Sequence, residues 1–166
     1  MQLWKQARKR LRAAGFTLVE LVVVITILGI LAAVAIPKLV SLQIDARIAK
    51  INGALGSVKA AASLARSVQL TQGLAPNTAV VMEGVTIGMT NGYPSAGSIA
   101  TAAGVSSPDF TLGAVAPAAG VNQIRISTDQ NHLNCAIVYQ EAAANGAPVY
   151  SSGLDPTNPT DRSNCS

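Results

Sequence analysis

The sequence is poor in charge, in aromatic residues and in the side chains that most often carry out chemistry. Only 12% of its 166 residues are charged and 4% are aromatic, whereas about 25% of the residues in an ordinary soluble domain are charged. One histidine and two cysteines exclude most His/Cys metal frameworks and any scaffold with several disulfides. The core of a single domain of this length must therefore consist mostly of Val, Ile, Leu and Ala.

Candidate catalytic or ligand-binding residues are equally few. His132 falls in a predicted turn with no second His or Cys–His pair nearby, so we expect a surface side chain. Asp155, Asn158 and Asp161 offer oxygen ligands for calcium, but their spacing does not match a calcium-loop motif. The sequence also contains no phosphate-binding glycine loop and no evident nucleophile–base pair. It gives no argument for an enzyme, a cofactor or a metal.

The formal net charge of +4 is concentrated at the amino terminus. Five of the twelve basic residues lie in the first twelve positions, whereas seven basic and eight acidic residues follow residue 15. A nucleic-acid-binding arm is one explanation of the basic segment. Because an apolar stretch follows directly, a membrane topology signal is the better one.

That apolar stretch covers residues 16–36, interrupted only by Thr17, Glu20, Thr26 and Gly29. As a helix it would be roughly 30 Å long, which is the thickness of the hydrocarbon core of a bilayer. We predict a transmembrane helix with the basic segment in the cytoplasm and the remainder exported. A secretory signal cleaved near Ala32–Ala35 is the competing interpretation, but the stretch is longer than a usual signal core and the helical pattern continues beyond it.

From residue 38 to about residue 70 the pattern changes to that of an amphipathic helix. Apolar residues recur in alternating steps of four and three, which predicts one face packed on the domain. Pro37 removes a backbone hydrogen bond where the two patterns meet and is expected to kink the helix. The apolar seam consists of Ile44, Ile48, Ile51, Leu55, Val58, Ala62, Ala65 and Val68–Gln69.

The remainder of the chain predicts a small amount of β-structure. Residues 85–89 alternate as a strand does, and Asn91-Gly92 supplies turn chemistry after them. Ser95–Gly120 has little pattern and is expected to be an irregular surface connection. Beyond it, strands around residues 123–127 and 133–139, a turn at Asn145-Gly146 and a short strand at 148–150 predict a β-meander. A polar loop over residues 155–161 is expected to end beside Cys165.

Cys135 and Cys165 are the only cysteines, and both fall in the predicted exported part. Two free thiols would suit a reducing compartment, which the membrane interpretation contradicts. A disulfide is therefore favoured, and it would contribute about 3–4 kcal/mol in the chain-entropy model.

Glu20 is the only ionisable residue within the apolar stretch. A carboxylate at bilayer depth costs about 2.5–3.5 kcal/mol on insertion scales, so it either reaches the interface or has a partner. Residue 16 lies on the same helical face, four positions earlier. Cleavage between Gly15 and Phe16 would create an α-amino group there, in the same chain or in a neighbour, which could neutralise Glu20.

The segment Gly15-Phe16-Thr17-Leu18-Val19-Glu20, between a basic leader and an apolar stretch, resembles the type IV prepilin signature. Pro37 also stands where such helices commonly carry proline, and the resemblance covers about residues 1–60. Five short segments are similar to the mannose-sensitive haemagglutinin (MSHA) pilins of that family: Pro37-Lys38, Leu42-Gln43, Asp45-Ala46-Arg47, Asn91–Pro94 and Cys135–Tyr139.

The resemblance implies an α+β fold of the type IV pilin kind. A long N-terminal helix, membrane-spanning in its first half and amphipathic in its second, would pack on an antiparallel sheet of about four strands. The implied order is a cleaved leader (1–15), a transmembrane and fibre-core helix (16–37), an amphipathic helix (38–70), a connecting region (71–120), and a β-meander with a disulfide-bounded carboxyl terminus (121–166).

The resemblance also implies a set of partners and modifications. A prepilin peptidase would cut after Gly15 and N-methylate Phe16, and Glu20 would act in assembly. The subunit would wait in the inner membrane and then polymerise with copies of itself into an extracellular fibre. An inner-membrane platform and, indirectly, its ATPase would drive this assembly.

Two other functions fit parts of the sequence. A pseudopilin of type II secretion shares the leader and the helix, but such major subunits typically use a calcium site in place of the C-terminal disulfide. Cys135 and Cys165 therefore favour a surface pilus. A single-span anchored or secreted binding domain is the second alternative, and it would make Glu20 and the Gly15–Phe16 junction coincidental.

Overall fold

The computed structural model describes residues 15–118, 120–150, 154 and 157–166. The predicted leader, apart from Gly15, lies outside these residues. One long helix, α1 (Leu18–Thr71), begins the described chain. The chain divides into two units, which meet between residues 40 and 41.

The first unit contains the amino-terminal part of α1, and every residue from 15 to 40 is exposed. This part of the helix is long and apolar enough to cross a membrane, and its most apolar window of 18 residues is not buried by the protein. Pro37 lies inside α1, which continues on both sides of it. The kink predicted at Pro37 stays a prediction.

The second unit, residues 41–166, contains its own core. The remaining part of α1 buries the seam predicted from its periodicity, with Ile44 and Val68 half-buried at its two ends. Side chains from the sheet, among them Ile126, Ile137 and Tyr139, belong to the same buried cluster as Ile48 and Ile51. The amphipathic half of the helix therefore packs on β-structure, as the fold prediction requires.

The principal sheet has four antiparallel strands in sequence order: β5 (Thr111–Ala118), β6 (Val121–Ser127), β7 (Ala136–Gln140) and β8 (Val149–Tyr150). Asn145 has a positive φ of 60° in the connection before β8, where the turn was expected. The predicted architecture, a long helix followed by a small antiparallel sheet, is confirmed.

Two small hairpins lie between α1 and this sheet. β1 (Val80–Met82) pairs with β2 (Val85–Ile87), and β3 (Met89–Thr90) pairs with β4 (Tyr93–Pro94). The single strand predicted over residues 85–89 is therefore divided at Gly88. The reason is that Gly88 N–H donates to Ser98 Oγ (3.1 Å) and its carbonyl accepts from Ser95 N–H (2.8 Å). The Asn91-Gly92 turn is present, with φ values of 52° and 88°.

The prediction of an irregular surface connection over Ser95–Gly120 is wrong. This segment contains a short helix, α2 (Ile99–Ala102), and the edge strand β5, and the side chain of Ile99 is fully buried. Small residues conceal the strand pattern of β5, and the edge position tolerates Pro117 beside an irregularity in the pairing with β6. Lys50 of α1 holds the start of this strand, because its ammonium group donates to the Asp109 carbonyl and lies 4.6 Å from the centre of the Phe110 ring.

The polar loop predicted over residues 155–161 is also corrected. A short helix, α3, covers Pro159–Asn164. Asn158 caps it by accepting a hydrogen bond from Thr160 N–H (2.9 Å), and Pro159 occupies the first turn. An Asn–Pro pair is a helix-start signal because the amide side chain replaces a missing acceptor and proline presets the first φ.

Candidate functional site at the start of the long helix

Thr17 and Glu20 form a reciprocal pair at the start of α1. Glu20 Oε2 accepts hydrogen bonds from Thr17 N–H (2.9 Å) and Thr17 Oγ1 (2.8 Å), and Thr17 Oγ1 accepts from Glu20 N–H (3.2 Å). This is a capping box, which satisfies backbone donors that the first helical turn leaves without partners. The T-x-x-E spacing is a signal in the sequence itself, but the apolar setting of Glu20 favoured the interface or the α-amino group of Phe16, in the same chain or in a neighbour, as its partner instead.

The capping box engages only one of the two carboxylate oxygens of Glu20. Both bonds from Thr17 go to Oε2, and among the described residues no bond to Oε1 and no ion pair of Glu20 is present. One carboxylate oxygen is therefore engaged within the chain and the other is available to a further donor. The assembly role predicted for Glu20 stays a prediction.

The Gly15–Phe16 junction directly precedes the capped helix. Neither residue is helical, both are exposed, and the Phe16 side chain retains 82% of its accessible surface. Among the described residues, no heavy atom outside the chain neighbours of Gly15 lies within 4 Å of a β-carbon built on it. A peptide bond in this position is open to another molecule, whereas bonds within α1 are held by helical geometry. Cleavage at Gly15 and methylation of Phe16 stay predictions.

The apolar side chains that follow are not covered by any described part of their own chain. Residues such as Leu18, Ile30 and Val34 remain more than two-thirds exposed. An apolar surface of this extent indicates lipid or another protein as its environment. The site therefore combines an accessible junction, a capped carboxylate and an uncovered apolar helix.

Residues 10–36 match the family model described as the prokaryotic N-terminal methylation motif. The chain is also similar to the type IV narrow pilus major component PilA5 of Thermus thermophilus, with 44% identity over 55 residues. That similarity covers 33% of this chain, and the chain spans 47% of the relative's length. No solved structure matches the chain. The two matches support the resemblance to type IV prepilins and leave the closer likeness to MSHA pilins as a proposal.

The predicted cysteine pair is joined in the second unit. Cys135 and Cys165 form a disulfide, and both are fully buried. Arg47 of α1 donates to the Cys165 carbonyl (2.9 Å), and Asp45 forms an ion pair with Arg162 of α3. The carboxyl terminus is therefore fastened to the helix as well as to the sheet.

His132 differs from the expected surface residue. It lies in the connection between β6 and β7, but its side chain is only 18% exposed and its Nδ1 is 2.7 Å from Asp129 Oδ1. Desolvation raises the pKa of Asp129, but hydrogen bonds from His132 and Asn131 and the charge of His132 outweigh it, so the pKa lies below its ordinary value. The pair stabilises a turn, and Arg47 lies 4.0 Å from the same carboxylate.

The three residues considered as calcium ligands have different outcomes. Asn158 caps α3, Asp161 lies in the first turn of that helix, and Asp155 is outside the described residues. Within the part of the chain that the structure describes, no three His, Cys, Asp or Glu side chains are grouped as metal ligands.

Proposed function

We propose that this protein is a structural subunit of a bacterial type IV pilus. The observation that carries the proposal is the difference between a helix exposed from residue 18 to residue 40 and a disulfide-closed body with its own core. Such a chain can remain in a membrane through its helix and later bury the same helix among copies of itself. The methylation motif and the similarity to a pilus component support this function.

Processing is the first step of the proposed pathway. A prepilin peptidase cleaves after Gly15 and methylates the new amine of Phe16. Before cleavage the subunit is a single-pass inner-membrane protein with its leader in the cytoplasm. Exposure of the junction, immediately before the Thr17 cap, supports recognition at this bond.

Assembly follows from the half-satisfied carboxylate of Glu20. In low dielectric, leaving a buried charge without a partner costs several kcal/mol. We assign Oε1 of Glu20 to the Phe16 amine of an adjacent subunit, while Oε2 retains its bonds from Thr17. This pair sets the axial register of one subunit against the next. An inner-membrane platform and its ATPase supply the driving force from outside the subunit.

A surface fibre is favoured over a type II secretion pseudopilus, and an MSHA-like fibre used in adhesion is the finer proposal. The support is the Cys135–Cys165 bridge, which closes a separation of 30 residues and secures α3 to the body. The resemblance implies that major pseudopilins typically have a calcium site in place of this disulfide, and covalent closure suits an exported subunit, whose thiols are oxidised.

Deletion of the gene, followed by electron microscopy of sheared surface fibres, tests this function. We expect fibres to disappear and to return when the wild-type gene is restored, while type II secretion of a reporter enzyme is unchanged. Loss of secretion with fibres unaffected would establish the pseudopilin alternative instead. Adhesion of the two strains to erythrocytes, with and without free mannose, tests the finer assignment.

A further inference from the structure

Arg66, near the carboxyl end of α1, is a cation held in position by an aromatic ring and a tight turn. Its Cζ lies 4.5 Å from the centre of the Tyr93 ring. A β-carbon at Gly92 would come within 2.9 Å of Arg66 Nη1, so the guanidinium group lies directly over the β3–β4 turn. In the described parts of the chain, Arg66 takes part in no ion pair. The turn therefore holds the guanidinium group in place while its hydrogen-bond donors remain available.

A cavity of about 380 Å³ adjoins Arg66. Its walls include the side chains of Leu70 and Leu74 and the polar residues Asn91 and Asn145, and no acidic residue is among the described residues that line it. The cavity thus offers one fixed cation, amide groups and apolar surface. An acidic side chain presented on a narrow projection suits this combination, because a guanidinium group binds carboxylates through two parallel hydrogen bonds.

Glu83 is an exposed carboxylate on such a projection. It occupies the tip of the β1–β2 hairpin, where Met82 pairs with Val85 and only Glu83 and Gly84 form the loop. Their φ values are 51° and 80°, and loops of this type favour Asn, Asp or Gly at the first position. A glutamate there carries a conformational cost that its own hairpin does not explain. Within the described residues Glu83 has no ion pair.

The two charges lie on opposite sides of α1. Glu83 lines a groove together with Leu64, whereas Arg66 is two residues further along the helix. Two helical residues correspond to a rotation of about 200° and a rise of about 3 Å. The hairpin tip therefore lies on the Leu64 side of α1 and the Arg66 side chain leaves the helix on the other side, and no ion pair joins the two charges within the described chain.

We propose that Glu83 of one subunit binds Arg66 of a neighbouring copy, with the β1–β2 hairpin tip seated in the cavity. The contact uses a different surface on each partner. A subunit that binds one neighbour through Glu83 therefore retains Arg66 for a second neighbour, and the reverse holds as well. Head-to-tail contacts of this kind form open helical arrays when the rotation does not close. The proposal rests on the proposed function, and it adds a contact between folded bodies to the contact between apolar helices.

Reciprocal charge reversal tests the pair in a strain that makes the fibres. Glu83→Arg and Arg66→Glu should each lower the ratio of sheared fibre to cellular subunit at least about fivefold, because like charges then meet at every contact. The double variant, Glu83→Arg with Arg66→Glu, should restore the ratio to within about twofold of wild type, since the pair is re-formed with its signs exchanged.

Lys59 supplies the matched control. It is also a cation of α1 placed over an aromatic ring, 5.6 Å from the centre of Tyr150. Lys59→Glu combined with Glu83→Arg restores the same net charge but should not restore fibres. Rescue by this combination, wild-type yield with either single reversal, or no rescue by the double reversal would each overturn the pairing.

Cysteine cross-linking gives a second measurement that does not depend on reversed charges. Fibres containing both Arg66→Cys and Glu83→Cys subunits should give dimers on mild oxidation, and a chain with both substitutions should give a ladder of multimers. Fibres that contain both subunits without dimers would overturn the proposal. Absence of fibres from the wild-type strain would remove the proposed function itself, so the two failures are distinguishable.

Discussion

The side chains of residues 18–40 of α1 are all exposed, whereas the next thirty residues of the same helix bury a regular seam against the body. Both segments are helical and rich in Val, Ile, Leu and Ala, so composition alone does not separate them. What separates them is the distribution of apolar residues around the helix. An apolar surface on all sides requires an environment from outside the chain, and a single seam is satisfied by the chain's own sheet.

The largest effect is expected from removing the first unit. A chain beginning at Ser41 retains the seam, the sheet and the Cys135–Cys165 disulfide. We expect it to be soluble, monomeric and cooperatively folded, and to lose membrane association and fibre formation completely. Sedimentation analysis and thermal unfolding monitored by circular dichroism measure the first set of properties. An aggregated or unfolded product would show that the body depends on the helix that precedes it.

Glu20→Val should abolish incorporation into fibres while leaving membrane insertion and leader removal intact. The reason is that the substitution removes the carboxylate from the apolar helix, and with it the group that is proposed to pair with the amine of a neighbouring subunit. Sheared fibres are quantified beside the membrane pool, and mass spectrometry establishes whether the mature chain begins at methylated Phe16. A start at residue 36 would support conventional secretion instead.

Thr17→Ala and Glu20→Gln are the matched controls for this substitution. Thr17→Ala removes the two capping bonds of Thr17 Oγ1 at a cost of about 1 kcal/mol to the helix start, but it retains the carboxylate and the bond from the backbone N–H of residue 17. Glu20→Gln retains the shape and removes the charge. If Glu20 acts through an intersubunit ion pair, Glu20→Gln should assemble poorly and Thr17→Ala nearly normally. The opposite order would assign Glu20 to helix capping alone.

Cys165→Ser should affect the second unit and spare the first. Loss of a bridge across about 30 residues removes roughly 3–4 kcal/mol from the free energy of unfolding. The hydrogen bond from Arg47 to the Cys165 carbonyl and the ion pair between Asp45 and Arg162 retain part of the local structure. Chemical denaturation in a detergent-solubilised preparation measures the change, and membrane insertion serves as the control. Unchanged stability would show that the ionic contacts suffice.

The smallest expected effect is on the free energy of unfolding at acidic pH. Because the pKa of Asp129 is lower in the folded state than in the unfolded chain, the unfolded chain binds more protons as the pH falls. The contribution of Asp129 is therefore present above its unfolded pKa of about 3.9 and is lost as the pH falls through the folded value. Asp129→Asn should flatten the acid side of the stability profile, measured as the free energy of unfolding at a series of pH values. Parallel profiles for wild type and Asp129→Asn would contradict this assignment.

The sequence was sufficient for features that depend on neighbouring residues. The seam from Ile48 to Ala65 follows from periodicity, and the Asn91-Gly92 turn follows from residues that tolerate positive φ. The T-x-x-E capping box is equally local, although only the hydrogen bonds between Thr17 and Glu20 distinguish it from an unpartnered carboxylate. The conformation of a segment can be predicted from its own residues when the groups that it contacts are near in the sequence.

Ser95–Gly120 shows what only the tertiary structure decided. Strand β5 acquires its order by pairing with β6, for example through Ala114 and Ile124. The α2 helix is buried against a core that includes α1 residues some forty positions earlier. Glycine, alanine and serine give such a segment no strong preference of its own, so the distant hydrogen bonds and packing determine its conformation. The opposite placement of Arg66 and Glu83 has the same origin, because the side of α1 on which a hairpin lies depends on packing of the whole body and not on spacing along the chain.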